Sequence, residues 1–191
     1  MPKLIDHRRR RDDVGDAAWR VIRRDGVEAA SVRAVAAEAQ LSAGSLRHSF
    51  PTQEELLAFA MSRVVERIEA RVATLDTPAD PRAAVEQRLQ QLLPLDDERR
   101  AENEVWLAFS THGLARPEFR DLYRTVHDSL REACTIAATD LGVDDATLEG
   151  LRLHALIDGL AVHGALRPDA MTPDRITAVL AQHLDSLLPR V

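Results

Sequence analysis

The chain has one cysteine, one lysine, few aromatic residues and no long apolar run. Each shortage removes a class of protein. A single thiol, Cys134, forms no internal disulfide and builds no thiolate metal site, which fits a reducing cytosol. No apolar stretch approaches the roughly 20 residues that span a bilayer, so no membrane partner is expected. The opening MPKLIDHRRRR lacks the apolar centre of a signal peptide, so export is not expected and the expected compartment is the cytoplasm. No stretch of useful length alternates apolar and polar residues, which argues against strands. HExxH, nucleophile-elbow, P-loop and glycine-rich nucleotide motifs are all missing. No catalytic residue, metal or cofactor is assigned on this basis, and enzymatic activity is not expected.

What remains is helical by its periodicity. With 45% hydrophobic residues over 191 positions, the chain can bury a substantial core. A first helix is expected over about 12–25, with Val14, Ala17, Ala18, Val21 and Ile22 on one face and Gly26 ending it. Val32, Val35, Ala36 and Ala39 give a second helix its apolar face, and Ser42 caps a third over 43–48. Thr52 with Glu55 forms a capping box that opens a long helix to about residue 75. After Pro78 and Pro81, helices are expected near 81–93, 97–115, 117–141, 145–166 and 172–188. The fold class is therefore all α with about nine helices. A three-helix helix-turn-helix head with an N-terminal arm (residues 1–52) sits on a helical bundle (residues 53–191).

The stretch SVRAVAAEAQLSAGSLRHSFPTQEELL at 31–57 carries most of the information. Its short helix turns Leu46 and Phe50 inward and leaves Gly44, Ser45, Arg47 and His48 outward. An anchored back, small residues in front and an arginine at the end make the layout of a helix that enters a DNA groove. The charge distribution agrees. Residues 1–50 carry ten Lys+Arg against seven Asp+Glu (+3), and residues 51–191 carry fifteen against twenty-four (−9), which together give the net −6. The basic excess peaks in the His-Arg-Arg-Arg-Arg run at 7–11, which suits a phosphate backbone or a minor groove; the plainer alternative is a solvated tail.

From about Arg10 to Leu57 the chain resembles the N-terminal DNA-binding domain of the TetR family of bacterial transcription regulators. The resemblance is carried by DGVEAASVRAVAAEA, SAGSLRHSF and FPTQEELL at fixed spacing. It implies that the second helix braces against the DNA backbone and the third lies in the major groove. Under it, Arg10, Arg11, Ser31, Arg33, Ser42, Ala43, Gly44, Ser45, Arg47, His48, Ser49 and Gln53 are the candidate DNA contacts. Ala43 and Gly44 add no bulk between the helix and the base edges. Ser31 and Ser42 are also explained as plain helix caps, and Arg33 as a surface arginine. Three positions depart from the family pattern. Gln40 stands where Gly is usual and is expected at positive φ, at a cost on the order of 1 kcal/mol. Ser49 replaces an aromatic hydroxyl, and Gln53 replaces a phosphate-binding Lys.

In the body, WLAF at 106–109, LIDGLAVHGALRPDAMTPDRI at 156–176 and VLAQHL at 179–184 are similar to C-terminal domains of the choline-pathway repressor branch. This implies a body that pairs two subunits and holds a small-molecule effector. From the residues themselves, Trp106, Phe109, Ser110 and Gly113 share one helix face, and Tyr123, His127, Leu130 and Cys134 share the next. With Asp158 they are the candidate pocket lining, and each is equally explicable as core. Leu148, Leu151, Ala155 and Val162, with Ile176, Val179, Leu180, Leu184 and Leu187, make either a subunit interface or core. His154 and Asp158, four apart, suit a metal or acid–base pair or, more plainly, a hydrogen-bonded helical pair. The expected function is that of a ligand-responsive DNA-binding transcriptional regulator. It is read as a homodimeric repressor released from a pseudo-palindromic double-stranded DNA operator by a small-molecule inducer. An activator or corepressor-dependent regulator shares the same head, and a helical ligand-binding protein with a vestigial head is the remaining alternative.

Overall fold

Side-chain caps set where most of the helices begin. The computed structural model describes the backbone over residues 2–115 and 120–188, with side chains from Arg11 onward apart from those of 112–115. The helices are α1 (Pro2–Asp25), α2 (Val32–Glu38), α3 (Ala43–Ser49), α4 (Gln53–Ala73), α5 (Pro81–Leu89), α6 (Asp97–Ala115), α7 (Arg120–Asp140), α8 (Ala146–Leu166) and α9 (Pro173–Leu187). Two 3-10 turns, Val27–Ala29 and Gln90–Leu92, complete the described residues, among which there is no strand. Ser31, Ser42 and Thr52 accept the backbone N–H three residues on, at 3.2, 3.1 and 3.1 Å. Asp80 and Asp145 cap α5 and α8 in the same way, both at 3.0 Å. Each such cap contributes about 1 kcal/mol by satisfying an orphaned donor. Thr172 makes no side-chain cap; α9 instead starts on Pro173, whose missing N–H is no loss there.

Two boundaries differ from the expectation. α1 begins at Pro2, so the arginine run expected to form an arm continues the helix. Proline is pre-organised for a first helical position, and arginine is a strong helix former, so nothing stops the helix between 2 and 12. Arg11 is fixed by its guanidinium, which lies 5.3 Å from the centroid of the Phe59 ring. The helix expected over 81–93 ends as α at Leu89 and finishes as a 3-10 turn. The residues just before α7, including Pro117, lie outside those described.

The described residues form two buried apolar clusters. One joins Val14, Ala17 and Ile22 of α1, Val35 of α2, Leu46 of α3 and Leu56 and Val64 of α4 to Ala101, Val105 and Phe109 of α6. The other packs Val85 and Leu89 of α5, Cys134 and Ala138 of α7, Leu153 and Ile157 of α8, and Ile176, Leu180 and Leu184 of α9. The core under the DNA-reading candidate thus runs into the body through α4 and α6. Arginines on one face of α4 fasten it on both sides. Arg63 and Arg67 reach Asp12 and Asp16 of α1 at 3.4 and 3.7 Å, while Arg67 and Arg71 reach Glu98 and Glu102 of α6 at 3.2 and 2.7 Å.

Candidate functional site

The turn between α2 and α3 sets the angle of the exposed short helix. The Leu41 N–H bonds the Ala36 carbonyl at 2.8 Å and the Gln40 N–H bonds the Ala37 carbonyl at 3.1 Å. That pair of bonds is a Schellman closure, which requires a left-handed residue just past the helix. Gln40 supplies it with φ 57°, the one non-glycine residue with positive φ among those described. From there α3 presents Ala43, Gly44, Arg47, His48 and Ser49 to solvent, with Ser45 half-buried, while Leu46 and Phe50 are buried beneath. A Cβ built on Gly44 would meet no atom within 4 Å, so this face is open. Gln53 is exposed at the first position of α4.

The arginines of the head divide into two groups. Arg20 and Arg24 hold Glu38 of α2 at 2.8 and 3.0 Å, which locks α1 to α2, and Arg24 also pairs with Asp25 at 2.9 Å, so two carboxylates balance the two arginines. Arg23, Arg33 and Arg47 are exposed and have no ion-pair partner among the described residues. Ser31 is half-buried at the start of α2 and Ser42 exposed at the start of α3, each using its hydroxyl as a cap. Arg10 belongs to the backbone of α1, and its side chain lies outside the described residues.

A cavity of about 420 Å³ lies between α4, α6, α7 and α8. Met61, Val65 and Ile68 of α4, Leu122, Val126 and Leu130 of α7, and Ile157 of α8 make its apolar walls. Ser62, Asn103, Thr125 and Ser129 add polar atoms, and Glu69, Glu102 and Asp158 add carboxylates. Glu102 is 2% exposed and takes both guanidinium nitrogens of Arg71, at 2.9 and 2.7 Å. Arg71 also donates to the Gln91 side chain and carbonyl at 3.2 and 3.0 Å. The Glu102 bonds hold the Arg71 guanidinium above its ordinary pKa.

Trp106 and Asp158 line this cavity, as does Leu130. Tyr123 and His127 stand behind it in a row of rings. Trp106 lies parallel to Tyr123 at 5.8 Å, Tyr123 lies 5.8 Å from His127, and His127 lies 4.6 Å from His154. The His154 Nε2 is buried with no hydrogen bond among the described residues, 3.4 Å from a carboxylate oxygen of Asp158. Burial holds the His154 imidazole below its ordinary pKa and pushes the Asp158 carboxyl above its own. Phe109 and Cys134 do not line the cavity: the first belongs to the cluster under the head, the second to the cluster of α5, α7, α8 and α9. Burial pushes the Cys134 thiol up to about 12. Ser110 is not in the lining either, and its hydroxyl is buried with no hydrogen-bond partner among the described residues; of residue 113 only the backbone is described. The His, Cys, Asp and Glu side chains that are described form no cluster of three or more suited to a metal ion.

Comparison with known proteins joins these two regions. Residues 15–60 match the family described as bacterial regulatory proteins, tetR family, and residues 81–189 match the BetI-type transcriptional repressor C-terminal family. The chain belongs to the TetR family of bacterial transcriptional regulators. It is 40% identical to the HTH-type transcriptional regulator PksA of Bacillus subtilis, over 98% of this chain and 94% of that one. A Rhodococcus transcriptional regulator superimposes with a TM-score of 0.81 at 29% identity, covering 93% of this chain and 95% of that one. A Saccharomonospora viridis regulator in complex with choline superimposes with a TM-score of 0.73 at 27% identity, covering 92% and 93%. These relatives are transcriptional regulators and not enzymes, and no described helix is long and apolar enough to cross a membrane.

In this TetR-family regulator, several cavity groups escape a reading of the sequence. The Arg71–Glu102 pair spans 31 residues, and no spacing rule links the two. The available signal was local: Glu102 and Asn103 are polar and buried between Ala101 and Val105, on a helix otherwise turned to the core. Asn103 donates to the Arg99 carbonyl at 2.8 Å. On α9, Ile176, Leu180 and Leu184 are fully buried against the second cluster and are not part of a free face. On α8, Leu148 and Leu151 remain 56% and 49% exposed.

Proposed function

We propose that the protein is a homodimeric repressor, with residues 1–52 reading operator DNA and residues 53–191 binding an effector and pairing two subunits. The observation that carries the DNA reading is the division of the head's arginines. Arg20 and Arg24 are spent on Glu38 and Asp25, whereas Arg33 on α2 and Arg47 on α3 stand exposed without an ion-pair partner among the described residues, as does Arg23 on α1. Charged groups left unpaired at a basic surface are the ones that exchange counterions for phosphates or reach a guanine edge. Arg11, Ser31, Ser42, Ala43, Gly44, Ser45, His48, Ser49 and Gln53 surround them and complete the proposed contact surface, with Arg10 on the same helix as Arg11.

The effector reading rests on the position of α4. That helix walls the 420 Å³ cavity and begins four positions after α3 ends, at Gln53 and Ser49. A ligand that fills the cavity pushes on α4, and a displaced α4 carries α3 with it. Ligand and operator then favour different arrangements of one element and bind antagonistically, with reciprocal coupling. The choline complex of the S. viridis relative supports a small-molecule role for a body of this shape. Outward apolar residues on α8 support pairing of two copies, which a pseudo-palindromic operator also requires.

The test is binding of the purified protein to DNA upstream of its own gene, followed by fluorescence anisotropy over a range of salt. Arg47→Ala and Arg33→Ala are each expected to cost about 1–3 kcal/mol, roughly 5- to 150-fold in affinity. Failure to bind any such fragment at low salt sinks the reading. A reporter whose expression falls when the gene is deleted identifies an activator instead.

A further inference from the structure

Resting on the reading of the cavity as the effector site, we infer that the ligand is a bulky amphipathic organic cation whose charge sits against Asp158 beside Trp106. The inference comes from accounting for each charge that the described residues bring to the lining. Among the described residues, three carboxylates line the cavity, from Glu69, Glu102 and Asp158, and no cationic side chain does. Glu102 is already neutralised by the two-pronged Arg71 contact at 2.9 and 2.7 Å. Glu69 is exposed at the rim, where water screens it. Asp158 differs from both. It is half-buried, and among the described residues the basic group within ion-pair distance is His154, 3.4 Å away. His154 is only 4% exposed, and its Nε2 makes no hydrogen bond among the described residues.

Asp158 therefore has a carboxylate in an apolar cavity without a permanent positive partner. A bound cation supplies that partner, and an anion meets uncompensated negative charge. Trp106 lies in the same lining and offers an aromatic surface to a desolvated cation. The walls contributed by Met61, Val65, Ile68, Val126 and Ile157 ask for apolar bulk, and a 420 Å³ space falls in the range of pockets that hold drug-sized ligands. A compact quaternary ammonium such as choline would leave most of that apolar wall uncovered.

Three probes of similar bulk and different charge test this in the full-length protein by calorimetry: tetraphenylphosphonium, neutral triphenylphosphine oxide and tetraphenylborate, with choline alongside. Tetraphenylphosphonium is expected to bind at least about tenfold more tightly than the neutral probe and than choline, with tetraphenylborate weakest. Asp158→Asn is expected to erase the preference for the cation while leaving the neutral probe unchanged. Asp158→Glu is expected to retain the preference and guards against a folding defect in the first variant. A neutral probe that binds as well as the cation overturns the inference, as does a preference that survives Asp158→Asn. In both cases release of operator DNA by the neutral probe leaves the effector reading standing. Binding of none of the four overturns both.

Discussion

Gln40 holds a backbone conformation (φ 57°) that glycine adopts freely and a residue with a Cβ adopts at a cost on the order of 1 kcal/mol. The Schellman bonds from Gln40 and Leu41 to Ala37 and Ala36 keep it there. Gln40→Gly removes the strain and restores some of it as chain entropy in the unfolded state. The expected net gain is about 0.5–1 kcal/mol, read as a melting temperature higher by roughly 1–4 °C. An unchanged or lower melting temperature would give the Gln40 side chain a stabilising role that its exposure does not suggest. Asp158 has the opposite history: its chemistry is legible in the sequence and its cost is not. Burial pushes its carboxyl above the usual value, with His154 opposing the shift. The folded state therefore holds this proton more tightly than the unfolded chain. Its contribution to stability is present below about pH 4 and is lost as pH rises through the raised value. Burial lowers His154, so its contribution runs the other way and is lost as pH falls below about 6.5. Asp158→Asn is expected to melt higher than the parent at pH 7–8, with the difference shrinking toward pH 4. A difference independent of pH would mean that Asp158 is not the group that titrates. The pair was readable because four residues on a helix share a face; Arg71–Glu102 was not, because nothing in the sequence ties residue 71 to residue 102.

Helices α7 and α8 approach each other through Gly150. A Cβ there would fall 2.5 Å from the Thr135 hydroxyl and 2.7 Å from the Thr135 Cα. The second atom is backbone, so the clash is relieved only by separating the helices. Gly150→Ala is expected to destabilise by about 1–3 kcal/mol despite alanine's better helix propensity, measured as a lower urea midpoint. A stabilised variant would show that the two helices can part without loss. The same helices mark how far an element can be read from its sequence. Caps at Ser31, Ser42 and Thr52 and the apolar periods of the head were legible because both depend on residues a few positions apart. The start of α1 was not. A run of arginines reads as a charged tail, and only the continuous helical backbone and the Arg11–Phe59 contact make it part of the helix. The apolar stripe of α9 was legible as a buried face, but periodicity does not say what covers it. Ile176, Leu180 and Leu184 turn out to be covered by α5, α7 and α8 of the same chain. Of the cavity, the sequence offered Trp106, Leu130 and Asp158; its α4 wall, from Met61 to Glu69, carries no local signal of a hollow.

Across the whole molecule, charge and apolar surface are sorted to different ends. The first 50 residues carry +3 and the rest −9, so DNA is attracted to the head and repelled by the body. The large exposed apolar residues described lie elsewhere: Leu148 (56%), Leu151 (49%) and Leu166 (69%) follow one side of α8, Ile136 (49%) stands on α7, and Val179 (39%) and Leu188 (36%) stand on and just after α9. Ala155 and the open Gly159 lie along the same side of α8, which lets another helix approach closely. A surface of this kind fits an isologous contact with a second copy, and the two heads then meet two half-sites at once. If that is how the protein works, breaking the pair should damage DNA binding far from any DNA contact. Leu151→Glu places a charge in the middle of the stripe, and because Leu151 is half-exposed in the single chain, the monomer's helicity should be unaffected. Sedimentation velocity is expected to show a monomer, and operator affinity is expected to fall by roughly 100-fold or more, because the second half-site no longer binds as a linked event. The salt dependence should also flatten, since half the phosphate contacts are lost from each binding event. A Leu151→Glu protein that stays dimeric and keeps its affinity would place the interface on another surface of the body, and the apolar side of α8 would then need a different partner.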